Sequence, residues 1–259
     1  AYSDHTLKVC EEYARKDSRI RFHPQKHRLG MAGNHNFLLK KAQGQYFNWG
    51  DDDDTWHPDF VKTLAGLLRA YPTATSAMCR AQHVVRGVPL PLGEPKPRDN
   101  DRSPYDYLLH YATVGDYEHI DGLHVTEALR KAGGYHADSR PFFHASDYVA
   151  LLRLALQGKV VYTNEILFFK RDTGACHNAF EVLSALQFDR DTVYRIFRYL
   201  SFPISYVYNL MFGIRFVSGS DLPPRQKIRV IANLWVHYLR CNLAFLSNVL
   251  RGCFAVLAG

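Results

Sequence analysis

Between positions 30 and 70 the chain reads GMAGNHNFLLKKAQG, then QYFNWGDDDDTWHPD, then FVKTLAGLLRA. The first block has helical spacing and ends at Gly44, a residue that commonly stops helices. Residues 45–49 are an aromatic, strand-like run. Pro58 stands where a first helical residue would, and Phe60, Val61, Leu64, Leu67 and Leu68 give the next helix one apolar face. The same alternation recurs elsewhere. Leu7, Cys10, Tyr13 and Ala14 mark a helix over about 4–16, with Ser3 as its N-cap, and Ile20 and Phe22 alternate with arginines in a strand-like 20–23. Residues 75–85 are strand-like, and the Pro-rich 86–103 reads as a long loop. Ser103-Pro104 opens a helix carrying Tyr107, Leu108 and Tyr111, and Ser146-Asp147 opens another that runs into a strand over 159–171. Helices alternating with strands predict an α/β fold with a mostly parallel sheet.

Charge divides the chain. Residues 190–259 hold nine Lys/Arg and two Asp/Glu, so the net charge of +7 sits there, beyond a charge-balanced body of 1–189. The expectation is one large domain over 1–189 and a basic, apolar, helical region over 190–259. Two apolar stretches in that region, 199–214 and 242–259, are shorter or more interrupted than the roughly 20 clean apolar residues of a spanning helix. Two readings stand: core helices, or a membrane-surface anchor that sets Arg195, Arg198, Arg215, Arg225, Lys227 and Arg229 near acidic lipid. Five cysteines without a CxxC pair argue against a disulfide framework or zinc knuckle and for a reducing compartment. The first residues show no secretory signal, so the expected location is cytoplasmic, peripheral on the inner membrane face. No basic-aromatic module of a nucleic-acid binder is present.

The aspartates carry the chemistry. Ligands of open α/β sheets bind at the carboxyl ends of strands, and Asp51, Asp52, Asp53 and Asp54 follow one there, with Gly50 as the hinge. Adjacent carboxylates repel unless they share a cation. A hard divalent ion, Mn²⁺ or Mg²⁺, takes oxygen ligands and completes its shell with phosphates. The alternative is an exposed acidic turn in which Asp54 or Thr55 caps the next helix.

The run RLGMAGNHNFLLKKAQGQYFNWGDDDDTWHPDF resembles the core of family 2 glycosyltransferases, which have a GT-A (Rossmann-like) fold. The matching positions are Gly30, Asn34, Asn36, Ala42, Gly44, Tyr46, the aspartate tetrad, Trp56 and Pro58. Downstream, HIDGLHVTEALRKAGGYHADSRPFFHASDYVALL and its following strand look like the acceptor half of that family. The resemblance, over about residues 3–177, implies a metal-dependent inverting transfer of sugar from a nucleotide-diphosphate donor to a glycan or glycolipid hydroxyl. It implies Asp147 as catalytic base, although Ser146 stands where many members have Glu. It also implies Asp51, Asp52, Asp53, Arg28, Asn34, Asn36 and Arg171 on the donor, and Asp52, Asp54 and His177 on Mn²⁺ or Mg²⁺, with Asp172 a weaker metal or phosphate contact. Asn34 is equally a helix cap. The alternative for Asp147 is a helix N-terminal acid favoured by the dipole.

Family members begin with a nucleotide-binding strand and helix. The opening YSDHT resembles the end of the element after them, so the expectation is that 1–259 lacks that first unit. A non-catalytic GT-A-like binding module, or an inactive fragment, is therefore the rival reading. A nucleotidyltransferase would need a Gly-rich phosphate loop that the sequence does not contain.

Overall fold

The computed structural model describes residues 4–27, 29–85, 87–94, 99–115, 120–135, 146–172 and 206–257. Helices α1 (Asp4–Lys16) and α2 (Gly30–Lys41) come first, then the short strands β1 (Tyr46–Phe47) and β2 (Thr55–Trp56). Helix α3 (Phe60–Ala70) leads into the long strand β3 (Ala74–Val85) and its hairpin partner β4 (Val88–Pro89). Helix α4 (Pro104–Val114), strand β5 (Leu123–Val125), helices α5 (Thr126–Ala132) and α6 (Ser146–Ala155), and strand β6 (Lys159–Asp172) complete the body. A helix over 206–218 (α7) and the long α8 (Pro224–Leu257) follow.

The sheet runs β1-β5-β3-β6-β2, with β4 alongside β3. Among the described residues only β3 and β6 pair in parallel; β1/β5, β5/β3, β2/β6 and β3/β4 are antiparallel. The sheet is therefore mixed, a correction to the mostly parallel expectation. The sequence shows β3 and β6 because they are long and apolar. Strands of two or three residues carry too little alternation to reveal a direction, which tertiary closure sets instead. For the same reason the aromatic run 45–49 contributes only Tyr46 and Phe47 to the ladder. Residues 20–23 are not a strand of the described sheet, and the Ile20 amide bonds back to the Asp17 carbonyl at 3.0 Å. Pro58 lies in the turn before α3, where the Phe60 amide bonds the His57 carbonyl at 2.9 Å. Ser3 lies outside the described residues.

The core is built around Leu64, Leu129, Leu152, Val161 and Phe168, all fully buried, where α3, α5 and α6 meet the sheet. Leaving such side chains in water would cost about 1.5–3 kcal/mol each, so the burial fixes which helix faces turn inward. Ser103 caps α4: its hydroxyl accepts from the Asp106 amide at 3.1 Å, with Pro104 in the first turn. Gly115 ends α4 at φ +66°, and a Cβ there would stand 2.5 Å from the His237 ring of α8. That position needs glycine for both its backbone and the close helix contact. The C-terminal helices thus pack on the body through Leu210, Val217, Val230 and Leu234, all buried.

Candidate active site

Gly50 begins the acidic loop because a Cβ there would press on the Trp56 indole at 3.3 Å. The chain turns through Asp52 and Asp53, re-enters the sheet at Thr55 and Trp56, and pairs with Phe169 and Phe168 of β6. Arg171, two residues along β6, clasps the loop. Its amide donates to Asp54 Oδ1 at 2.8 Å, and its guanidinium Nε donates to the Asp53 carbonyl.

Carboxylate oxygens of Asp51, Asp53 and Asp54 lie within 4.8 Å of one another, and Asp54 is buried. Three oxygen donors of graded exposure at a strand end fit a hard divalent cation. Asp52 is exposed and outside this trio. Burial raises the Asp54 pKa, with Asp53 and Asp51 adding to the rise and the Arg171 amide and Lys170 opposing it. Asp51 is held below the ordinary carboxylate range, chiefly by His35. The two shifts run in opposite directions because only Asp51 has the imidazole beside it.

His35 projects from α2. Its Nδ1 donates to the Met31 carbonyl at 2.8 Å, leaving Nε2 3.8 Å from Asp51 Oδ1. Burial opposes its imidazolium, but the Asp51 carboxylate, the Met31 carbonyl and the charge of Asp147 outweigh burial and raise its pKa. The His35 ring packs against Tyr135 at 4.7 Å between centroids, and Tyr135 meets Trp49 edge-on at 4.7 Å. The buried Tyr135 hydroxyl hydrogen-bonds Asp147; burial first, then the Asp147 charge, pushes its pKa far up, so it stays protonated and donates. Asp147 in the first turn of α6 is thereby joined to the acidic loop through Tyr135 and His35.

Under the loop, Asp121 is 5% exposed and its carboxylate meets Lys170 Nζ at 2.6 Å. Burial pushes Asp121 up to about 6 although Lys170 pulls it down. Lys170 itself is raised: burial lowers it, but Asp121, Asp54 and Asp51 together prevail. The more deeply buried partner bears more of the desolvation. Replacing Lys170 by Met leaves Asp121 buried without its cation, so its folded pKa climbs further above the unfolded value. A raised carboxylate pKa means the folded state holds a proton that the unfolded chain has released, so stability falls as pH rises through that window. Lys170→Met is expected to cost little at pH 5 and about 2 kcal/mol at pH 8. That is below the usual cost of a broken buried pair, since Lys170 keeps a third of its side chain in water. Urea unfolding at both pH values checks this; an equal deficit at both contradicts it.

Asn36 serves structure. Its Nδ2 donates to the Tyr135 carbonyl at 2.8 Å, and its Oδ1 accepts from the Tyr135 amide at 2.9 Å. The second N–H of Nδ2 and the second lone pair of Oδ1 are left over from these two bonds, so the donor contact expected from the resemblance stays a proposal. Asn36→Ala is expected to lower stability by about 2 kcal/mol by orphaning both Tyr135 backbone groups, measurable by urea unfolding. Asn34 is exposed inside α2, whose N-cap position is Leu29, so it does not cap that helix. Arg28, His177 and the Asp172 side chain lie outside the described residues. His35, Tyr135, Asp121 and Lys170 were not singled out by sequence reasoning. A lone histidine among 13 gives no signal, and the other three are brought to the loop only by tertiary packing.

Residues 1–116 match the model of Glycosyl transferase family 2. The matched span includes the acidic loop and ends before Asp147. A search of curated proteins gives no match. Among solved structures, S. aureus TarS 1-349 in complex with UDP-GlcNAc superposes with a TM-score of 0.66 at 15% identity, covering 93% of this chain and 62% of that one. TarS 1-349 alone gives 0.64 at 14%, covering 93% and 60%. The mannosyltransferase PcManGT from Pyrobaculum calidifontis, in complex with GDP-Man and Mn²⁺, gives 0.54 at 17%, covering 100% and 67%. The chain therefore has a GT-A-like α/β fold and spans less than two thirds of the TarS chains.

Proposed function

We propose that this chain carries the catalytic body of a metal-dependent inverting glycosyltransferase, moving a sugar from a nucleotide-diphosphate donor to a glycan or glycolipid hydroxyl. The observation that carries the reading is the convergence of the acidic trio with Asp147 through His35 and Tyr135. The family match over 1–116 and the nucleotide-sugar complexes of GT-A neighbours support the donor class.

In this reading Asp147 takes the proton of the acceptor hydroxyl as it attacks, and Tyr135 orients the Asp147 carboxylate by donating to it. One base and a single displacement need no covalent intermediate. Asp51, Asp53 and Asp54 would hold Mn²⁺ or Mg²⁺, which supplies Lewis-acid stabilisation of the departing diphosphate. Asp52, Arg28, Asn34, Asn36 and Arg171 remain donor-side proposals, and His177 a further metal ligand. Arg171 also braces the loop. The proposed location is cytoplasmic, peripheral on the inner membrane face; no helix of the described residues is long and apolar enough to cross a membrane.

Calorimetry with UDP- and GDP-sugars in Mn²⁺ tests the reading. Binding at micromolar to millimolar donor is expected. Absence of binding at millimolar donor sinks it and leaves a non-catalytic module with the same fold.

A further inference from the structure

Helix α8 has two faces of different chemistry. Inward, Val230, Leu234 and His237 are buried; Leu234 lies where a Cβ on Gly213 would meet it at 2.9 Å, and the His237 ring stacks on Tyr148 at 5.2 Å. His237 Nδ1 also sits 3.1 Å from the Thr113 carbonyl. Outward, Ile228, Trp235, Leu239 and Leu243 stand at i, i+7, i+11 and i+15, one stripe of a 3.6-residue helix. They are 68, 47, 53 and 65% exposed, and Val236 beside them is 45% exposed. Arg225, Arg229 and Arg240 are exposed along one flank of this stripe. Over its whole length α8 contains five Lys/Arg and no Asp/Glu.

We infer that this outward face docks flat on an anionic lipid surface, its apolar stripe entering the headgroup boundary and its arginines meeting lipid phosphates. Charge decides between occupants. Two copies of this face would bring cations against cations with no acid to pair them, whereas an anionic bilayer supplies a counter-charge for each. The arginine interruptions, and an inner face already packed on the body, suit a helix lying in the interface rather than crossing it. The inference deepens the peripheral location proposed above. Lipid binding is read without donor or acceptor, so its failure leaves the transfer reading standing, and the reverse also holds.

The test is co-sedimentation of the full chain with phosphatidylcholine vesicles, with and without 30% phosphatidylglycerol. At least tenfold stronger partition to the anionic vesicles is expected, weakening as salt rises. Leu239→Glu with Leu243→Glu should reduce that partition at least tenfold, while Lys62→Glu on α3, 85% exposed at its side chain, should leave it nearly unchanged. Should the double glutamate variant fail to fold by circular dichroism, Arg229→Gln with Arg240→Gln must weaken anionic binding. Equal binding to both vesicle types, or unchanged binding by either folded variant, overturns the inference. So does a dimer in sedimentation equilibrium that the glutamate pair dissociates, since the face would then belong to a second copy.

Discussion

Asp147→Asn is expected to lower sugar transfer by about 10²–10⁴-fold while donor affinity stays nearly unchanged. The substitution keeps the size of the side chain and an oxygen able to accept from Tyr135, and it removes the basic lone pair. Asp147 sits in the first turn of α6, where a carboxylate also gains from the helix dipole. A residue serving only that purpose would shift stability by about 0.3–1 kcal/mol and spare turnover. The outcomes separate cleanly: kcat collapses if Asp147 is the base, and melting temperature alone moves if it is a helix-start acid. Single-turnover rates, with donor affinity measured by calorimetry, make the comparison.

The second large effect is expected at the acidic loop. Asp54→Asn retains an oxygen to accept from the Arg171 amide but removes the charge of the most buried member of the trio. Apparent Mn²⁺ affinity should fall at least about tenfold, and metal-dependent turnover with it, because ligating carboxylates bind in their deprotonated form. Burial raises the Asp54 pKa, so a proton competes with metal there more than at an ordinary carboxylate. Metal affinity should accordingly weaken as pH falls toward the acid range. Asp52→Asn, outside the trio, should change affinity far less. Titration of free Mn²⁺ by electron paramagnetic resonance reads both variants. Equal losses at Asp52 and Asp54 would restore Asp52 to the metal set expected from sequence.

How much of this was legible before folding follows from what each residue depends on. The long strands β3 and β6, the helices and the acidic loop were readable because each is specified within a dozen residues by periodicity, caps or charge. Strand direction was not, because β1, β2 and β5 are too short to carry a pattern. The loop was visible as a cluster, but which three carboxylates converge depends on the turn through Asp52 and on the Arg171 clasp from β6. Asn36 shows the reverse: its place in the motif suggested donor contact, but nothing in the sequence shows that its amide also bonds both backbone groups of Tyr135. His35 and Tyr135, which join the loop to Asp147, come from α2 and the segment after α5, 100 positions apart in number. Only packing around Trp49 brings them together.

The central claim is that the acidic loop and Asp147 form one metal-dependent transfer site. Its most direct test is release of nucleoside diphosphate from UDP- and GDP-sugars by the chain, measured in Mn²⁺ and again in excess EDTA. The account predicts release in Mn²⁺ that EDTA abolishes and added metal restores. Release that persists undiminished in EDTA would contradict it.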